Sequence, residues 1–372
     1  MNLRMKSTRS CVLGALAVGL ASCTTPTPPD APVAGEAVES PTDLPVIVAA
    51  NSVVCDLTQQ IAQDTIALTC LLEPGQDPHT YAPTPSDKRA IDSADLILYD
   101  GYNLTLAIAQ LVEATQNPAP KIAVLEAAVP EPLMSAGHDH AHDHGEEAAA
   151  AADHDHGEES TAADDPDHDH DHGDEAAGVA EAKLEPDPHI WHNAQHGVAM
   201  VRVIEAQLVA IAPDHTELYQ TNAGAIAQQL TELHEWIGDQ VSTVPLAQRK
   251  LVTPHDAFRY FAEAYEFTVA GALSGLSTEA EISAGALVEL VDEVKEADVP
   301  AIFAETTTNP KSIEAVAREA NVVVAPQALF VEGPTGEGTP APTYQAMLAV
   351  NTCTIVEALG GSCAIDQAPG QP

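Results

Sequence analysis

Three histidines and one glutamate stand at positions where α/β proteins often bind ligands. His79 follows a predicted strand, His189 lies in a loop, and His255 ends another predicted strand. Glu332 lies in ALFVEGP, after the strand-like run NVVVAP. Open α/β sheets bind ligands beyond the carboxyl ends of their strands, where such loops converge. A single histidine is more often an ordinary surface or core residue, so these residues alone leave a ligand site and a structural role evenly balanced.

The tripeptide Asp-Pro-His occurs twice, at 77–79 and 187–189. Proline fixes its own φ and biases the preceding residue away from helix, so we expect each histidine on a stiff loop. His192 follows the second tripeptide closely. Two alternatives are open for His192. It is an ordinary buried or surface residue, or it contacts the ligand side chains from behind.

The elements that would position these loops alternate between short apolar runs and helical stretches. Predicted strands in the first half are LPVIVAANSVV, TIALTCLLEPG, DLILYDG and IAVLEAA. Those in the second half are KLVTPH, FTVAGAL, VPAIFAE and NVVVAP. This alternation indicates βαβ units and parallel sheets. Between the halves, residues 214–243 predict one long helix with a single apolar stripe. The stripe consists of Ile226, Leu230, Leu233, Ile237 and Val241.

The predicted fold class is therefore α/β, with two parallel-sheet lobes joined by one long helix. We place the N-terminal lobe at 44–213, the linking helix at 214–243 and the C-terminal lobe at 244–362. Residues 363–372 are assigned to a tail.

The start of the chain has the pattern of a secretory signal. Basic residues precede the ten-residue apolar run CVLGALAVGL, which is too short to span roughly 30 Å of hydrocarbon as a helix. LASC resembles a bacterial lipobox, which predicts a lipoprotein signal peptide over 1–22 and a lipid anchor on Cys23. The alternative is an ordinary signal peptide with an incidental cysteine. Residues 23–43 have the composition of a flexible tether.

The charge balance excludes one class of partner. The chain carries 56 Asp and Glu against 14 Lys and Arg, a formal net charge of -42. Phosphate would repel such a chain, so nucleic acid is not an expected partner. Cations are.

Four cysteines remain after the segment assigned to export and anchoring. In an oxidising compartment an even remainder favours disulfides, and four cysteines allow three pairings. We favour Cys55–Cys70 and Cys353–Cys363, because the members of each pair are close in sequence and within one predicted lobe. A thiolate metal site is the competing hypothesis, but no C-x-x-C spacing supports it.

Residues 137–178 interrupt the α/β pattern with an acidic, histidine-rich stretch. It contains no Lys, Arg or large apolar residue, so we expect a disordered loop that cannot bury a core. Its repeated His-x-His units could bind divalent ions weakly, whereas the alternative is a solvated acidic spacer. The nine histidines are His138, His140, His142, His144, His154, His156, His168, His170 and His172.

Several motifs resemble one protein family. EPGQDPHTYAPTPSD, DPHIWHN, PHDAFRYFAEAYEF, GLSTEAEISA, IFAETTTNP and NTCTIVEALGG are similar, in this order, to motifs of the solute-binding lipoproteins of zinc and manganese ABC importers. The similarity extends from about residue 46 to 361. It implies one metal ion held between two α/β lobes that a rigid helix connects.

The resemblance also implies a ligand set. His79, His189 and His255 match the three histidine positions of the family, and Glu332 falls where many members have Asp. Glu is one methylene longer, so it could bind differently or leave the place to water. Glu305, at the end of VPAIFAE, is the reserve ligand or an outer neighbour. Manganese members usually have a carboxylate at the position of His255, so this residue favours zinc.

The expected function is periplasmic capture of Zn²⁺ and its delivery to an ABC permease by a monomeric, lipid-anchored protein of the cell envelope. Alternatives are a Mn²⁺-binding protein of the same family and an adhesin or metal buffer without a permease. A zinc hydrolase with three histidine ligands would need an open coordination position and a general base. No H-E-x-x-H motif supports that last hypothesis, and the protein is not expected to be an enzyme.

Overall fold

The computed structural model describes residues 44–136, 184–279 and 282–370, which adopt an α/β fold with parallel sheets. The strands are β1 Val46–Ala49, β2 Ala67–Cys70, β3 Leu96–Tyr99, β4 Lys121–Ala123, β5 Met134–Ala136, β6 Leu184–Pro186, β7 Lys250–His255, β8 Thr268–Ser274, β9 Ala301–Ile302 and β10 Val323–Val324. The helices are α1 Ser52–Ala62, α2 Pro85–Ser93, α3 Leu106–Ala114, α4 Val124–Ala128, α5 Ala194–Ile211, α6 Thr216–Ser242, α7 Arg259–Ala264, α8 Ala284–Ala297, α9 Pro310–Ala320 and α10 Tyr344–Ala358. A short 3₁₀ turn, Ile190–His192, follows the second Asp-Pro-His.

The N-terminal sheet has the strand order β2-β1-β3-β4, and all its pairs are parallel. Ile47, Val48 and Ala49 of the central strand β1 are fully buried, as expected for a parallel sheet covered on both faces.

Two strand predictions in this sheet extend into helices, and a third, TIALTCLLEPG, extends past the end of β2 at Cys70. The run LPVIVAANSVV contains β1 and the start of α1, because the Asn51 side chain accepts a hydrogen bond from Val54 N at 2.8 Å and caps the helix. In IAVLEAA the strand ends at Ala123, and the rest forms α4.

The C-terminal strands also pair in parallel, β7 with β8 and β9 with β10. Phe303 N donates to Val252 O at 3.0 Å, which connects the β9 segment to β7. The spatial order is therefore β8-β7-β9-β10. Strand β7 coincides with the predicted strand KLVTPH, and His255 is its last residue. The remaining two strands, β5 and β6, form a small antiparallel pair on either side of residues 137–183.

The long helix α6 connects the two lobes, as predicted. Its 27 residues span about 40 Å at 1.5 Å per residue. All five residues of the predicted apolar stripe are buried. The helix contacts α1 and α5 from the first half of the chain and α10 from the second. This packing confirms the predicted fold class, two parallel-sheet α/β lobes joined by one long helix.

Two disulfides are present with the predicted pairing. Cys55 of α1 bonds to Cys70 at the end of β2, with 5.7 Å between their Cα atoms. Cys353 of α10 bonds to Cys363, with a Cα separation of 5.2 Å. No helix among the described residues has the length and apolar character needed to cross a bilayer. The predicted signal peptide, Cys23 and the histidine-rich stretch lie outside the described residues.

Candidate metal centre

The first Asp-Pro-His places His79 in the loop between β2 and α2. One carboxylate oxygen of Asp77 accepts a hydrogen bond from His79 N at 2.9 Å. The other oxygen accepts from the Thr278 hydroxyl at 2.5 Å. Asp77 therefore fixes the local turn and ties it to a loop of the C-terminal lobe.

The second Asp-Pro-His repeats this turn with one addition. Asp187 accepts hydrogen bonds from His189 N at 3.0 Å and from Nδ1 of the His189 ring at 2.9 Å. Both residues are fully buried. Because Nδ1 is occupied by the carboxylate, the ring presents Nε2 to the centre of the site.

His255 comes from the C-terminal lobe, at the end of β7. Its Nδ1 donates to a carboxylate oxygen of Glu305 at 2.7 Å, and its backbone N donates to the other oxygen at 3.3 Å. Glu305 thus contacts the His255 ring on the side opposite Glu332, and it is not one of the four donors that converge.

Glu332 lies in a loop of the C-terminal lobe that two segments of the N-terminal lobe hold in place. Its carbonyl oxygen accepts from the Ser52 hydroxyl at 3.1 Å, and the adjacent Val331 carbonyl accepts from the Trp191 indole at 2.8 Å. Gly333 has a φ of 131°, and a Cβ at this position would collide with Ser52 Oγ. Glycine is thus required for the close approach of this loop to α1.

These four side chains converge at the boundary between the lobes. One donor atom from each of His79, His189, His255 and Glu332 lies within 4.8 Å of the others, and all four side chains are buried. The Nε2 atoms of His79 and His189 are 3.3 Å apart. Ligand bonds of Zn²⁺ are about 2.0–2.2 Å long, so donors this close can share one ion.

The Glu332 carboxylate lies close to the rings of His255 and His79. Its Oε1 lies 3.2 Å from Nε2 of His255 and 3.5 Å from Nε2 of His79. Neither carboxylate oxygen has a partner in hydrogen-bond geometry. Buried polar atoms usually have such partners, and donors that converge on a common point without pairing fit a shared cation.

The electrostatics of the ion-free site favour a proton on His255. Burial lowers the pKa of His255, but the carboxylates of Glu305 and Glu332 outweigh burial and raise this pKa well above its ordinary value. Burial raises the pKa of Glu332, but His79 and His255 outweigh it and hold this pKa well below its usual range. A cation would replace that proton between the same groups.

His192 is buried behind the cluster and does not belong to it. Burial and the neighbouring His189 lower the pKa of His192 to about 3, so its ring is neutral. The ring stacks on Phe258 at a centroid distance of 4.3 Å. Its ring therefore lies next to the cluster without being one of its four donors.

The sequence did not identify two buried carboxylates near the site, Asp187 and Asp100. The signal for Asp187 was present, because an Asp two residues before a His can cap its backbone and reach its ring. Asp100 accepts from the Thr105 hydroxyl at 2.8 Å, and burial raises the pKa of Asp100 to about 7.

The two lobes, the long helix and the donor cluster define a substrate-binding protein of a metal ABC transporter. The family model described as "Zinc-uptake complex component A periplasmic" matches residues 47–358. The chain belongs to this family, whose members are solute-binding transport proteins and not enzymes.

Similar proteins include carriers named for both metals. A manganese-binding lipoprotein, MntA of Halalkalibacterium halodurans, is 31% identical over 313 residues, which cover 84% of this chain and 88% of the relative. The zinc-binding protein TroA of Treponema pallidum is 30% identical over 319 residues, 85% of this chain and 89% of the relative. The solved structure of periplasmic zinc-binding TroA superposes with a TM-score of 0.68 at 29% identity, covering 85% of this chain and 99% of that one.

Proposed function

We propose that this protein captures one Zn²⁺ with His79, His189, His255 and Glu332 and delivers it to an ABC permease. The observation that carries the proposal is the convergence of three imidazole nitrogens and one carboxylate oxygen within 4.8 Å. The donors come from both lobes, so a relative shift of the lobes would pull the set apart and release the ion.

The donor set supports zinc as the cargo. Three nitrogens and one oxygen suit a tetrahedral, borderline-soft ion such as Zn²⁺, whereas Mn²⁺ is better served by more oxygen ligands. The carboxylates of Asp187 and Glu305 hold two of the rings by Nδ1, an arrangement that raises the basicity of the opposite nitrogen.

Manganese is the second candidate cargo, because the MntA relative is named for it at 31% identity. Competition titration of the ion-free protein with Zn²⁺ and Mn²⁺ distinguishes the two. We expect Zn²⁺ to bind more tightly, and tighter binding of Mn²⁺ would overturn this choice. The variant His255→Glu has two nitrogens and two oxygens and should shift the preference towards Mn²⁺.

The ligand assignment is tested by alanine variants. His79→Ala removes one imidazole donor and should weaken the tight site strongly. His234→Ala is the matched control, because His234 lies half-buried on α6 and bonds to Tyr265. Unchanged zinc affinity in His79→Ala would contradict the assignment.

We assign the histidine-rich stretch at 137–178 a separate, weak role in collecting ions. Deleting it should lower the total number of bound zinc ions and leave one tight ion. Loss of the tight ion would show that stretch and site are not separate. We also propose that the protein is exported, lipidated at Cys23, attached to the extracytoplasmic face of a membrane and monomeric. Mass analysis of the membrane-extracted protein tests whether the acyl chain is present.

A further inference from the structure

Tyr260 of α7 is a buried tyrosine whose hydroxyl bridges two segments of the N-terminal lobe. The residue is 1% exposed. Its hydroxyl accepts a hydrogen bond from Leu133 N at 2.9 Å and donates one to the Asp187 carbonyl at 3.0 Å. Asp187 N in turn donates to Leu133 O at 2.8 Å. The phenol oxygen thus pairs with both the Leu133 N–H and the Asp187 carbonyl at the end of the β5–β6 pair.

This hydroxyl lies on a short path between ligands of different lobes. Asp187 holds the His189 ring, so the carbonyl that Tyr260 binds belongs to the residue that orients this ligand. On the other side, Tyr260 comes five residues after His255, which ends β7. The phenol therefore fastens the His189 loop to the segment that follows His255.

The neighbouring side chain reinforces the same contact. Arg259 donates from its guanidinium to the Met134 carbonyl in β5 at 3.0 Å. Helix α7 also contacts the 3₁₀ turn Ile190–His192. The start of α7 therefore contacts both the base of the β5–β6 pair and the His189 loop.

We propose that Tyr260 is a positioning residue for the ion site, whose hydroxyl couples ion occupancy to the base of the β5–β6 pair. The inference rests on the proposed function. With an ion bound, His189 and His255 are held together and the hydroxyl keeps both hydrogen bonds. When the lobes shift to release the ion, the same displacement parts the phenol from Leu133 and Asp187. The hydroxyl bonds therefore add to the resistance against release.

The test uses Tyr260→Phe, which keeps the ring and loses both hydrogen bonds. Zn²⁺ release into excess chelator, followed by stopped flow, should be roughly tenfold faster, the lower end for changes behind a metal ligand. Tyr219→Phe is the matched control, because Tyr219 is equally buried and its hydroxyl bonds to Thr65 at 2.8 Å. A merely structural role would lower the unfolding temperature of both variants and leave release unchanged, and this result would overturn the proposal.

Amide hydrogen exchange provides a second measurement. In the natural protein, adding Zn²⁺ should slow exchange at Leu133 N, and in Tyr260→Phe this ion-dependent protection should be lost. Equal ion-dependent protection in both proteins would also overturn the inference. If the natural protein binds neither Zn²⁺ nor Mn²⁺ tightly, the proposed function fails instead. If Tyr260→Phe binds zinc with normal affinity and releases it at the normal rate, the coupling proposed for Tyr260 is wrong and the proposed function still holds.

Discussion

The Glu305 carboxylate holds Nδ1 of His255 at 2.7 Å, and the opposite nitrogen of that ring faces Glu332 at 3.2 Å. Glu305 and His255 are separated by 50 residues and are both buried. A carboxylate behind a ligand imidazole fixes the ring and makes it a stronger donor. The pair therefore places one rigid, electron-rich nitrogen at the boundary between the lobes.

Removing the charge of Glu305 should weaken ion binding without removing a ligand. In Glu305→Gln the amide oxygen can still accept from Nδ1, but it polarises the ring less, so we expect zinc affinity to fall roughly 10-fold to 100-fold. Competition with a fluorescent chelator measures this change. Glu319→Gln is the control, because Glu319 is exposed on α9. Equal affinities of the two variants would contradict a role for Glu305.

The two Asp-Pro-His turns allow a comparison within one protein. Asp187 binds both the backbone and the ring of its histidine, whereas the second oxygen of Asp77 binds Thr278 instead. Asp187→Asn should therefore reduce zinc affinity more than Asp77→Asn does, by roughly tenfold or more for the former. Isothermal titration of both variants gives the order. The reverse order would show that the contact between lobes matters more than the ring contact.

Ion binding should release a proton near neutral pH. The pKa of His255 is raised well above its ordinary value, so the ion-free protein holds a proton on a ring that the ion requires neutral. Zinc affinity should rise about tenfold per pH unit below that pKa and level off above it. Calorimetry in buffers of different ionisation heats counts the protons. Binding without proton release at pH 7 would contradict the assigned protonation state.

The loop and strand-end positions of the three histidines proposed as ligands could be predicted because their signals are local. In KLVTPH, Leu251, Val252 and Thr253 favour a strand that ends in Pro-His, and the segment forms β7 with His255 at its end. The two Asp-Pro-His turns likewise contain their own capping carboxylates. The partner of His255 could not be fixed in this way. Glu305 reaches that ring only because the β9 segment pairs beside β7, which is a long-range event.

The error in the extent of the first predicted strand has a local cause, whereas α4 begins without a side-chain cap. Val53 and Val54 have high β propensity, which made the strand seem to continue, yet they form the first turn of α1. The Asn51 cap stops the strand, and burial of both valines against the core stabilises the helix despite their propensity. The Asn51 cap, between two apolar runs, was the overlooked signal.

The Gly333 turn offers a test of how the Glu332 loop is held. Gly333→Ala places a Cβ against Ser52 Oγ at a φ of 131°, so the loop must move away from α1. We expect lower zinc affinity and a loss of about 1–3 kcal/mol in the free energy of unfolding. Gly338→Ala is the control, because its φ is also positive but no atom lies within 4 Å of its added Cβ. The control should lose stability and keep its zinc affinity. Unaltered zinc affinity in Gly333→Ala would contradict the idea that the Glu332 loop must lie close to α1.

Asp56 should make the stability of the ion-free protein depend on pH. Its carboxylate accepts from Tyr344 N at 2.8 Å and from the Gln60 amide at 2.7 Å, and so joins α1 to the start of α10. Burial raises the pKa of Asp56 from 3.8 to about 6, and the two hydrogen bonds only partly oppose this effect. The folded state therefore binds its proton more tightly than the unfolded state does.

The sign follows from that difference. As pH rises from about 4 to 6, Asp56 ionises in the unfolded chain first, so its contribution to the free energy of unfolding falls, by up to roughly 3 kcal/mol. In Asp56→Asn this contribution is absent, and the variant should gain stability relative to the natural protein over the same interval. Urea unfolding at several pH values, with chelator present to exclude ion binding, measures the difference. Asp64→Asn changes an exposed carboxylate just beyond α1 and should run parallel to the natural protein. If Asp56→Asn runs parallel as well, burial of this carboxyl group does not control the pH dependence.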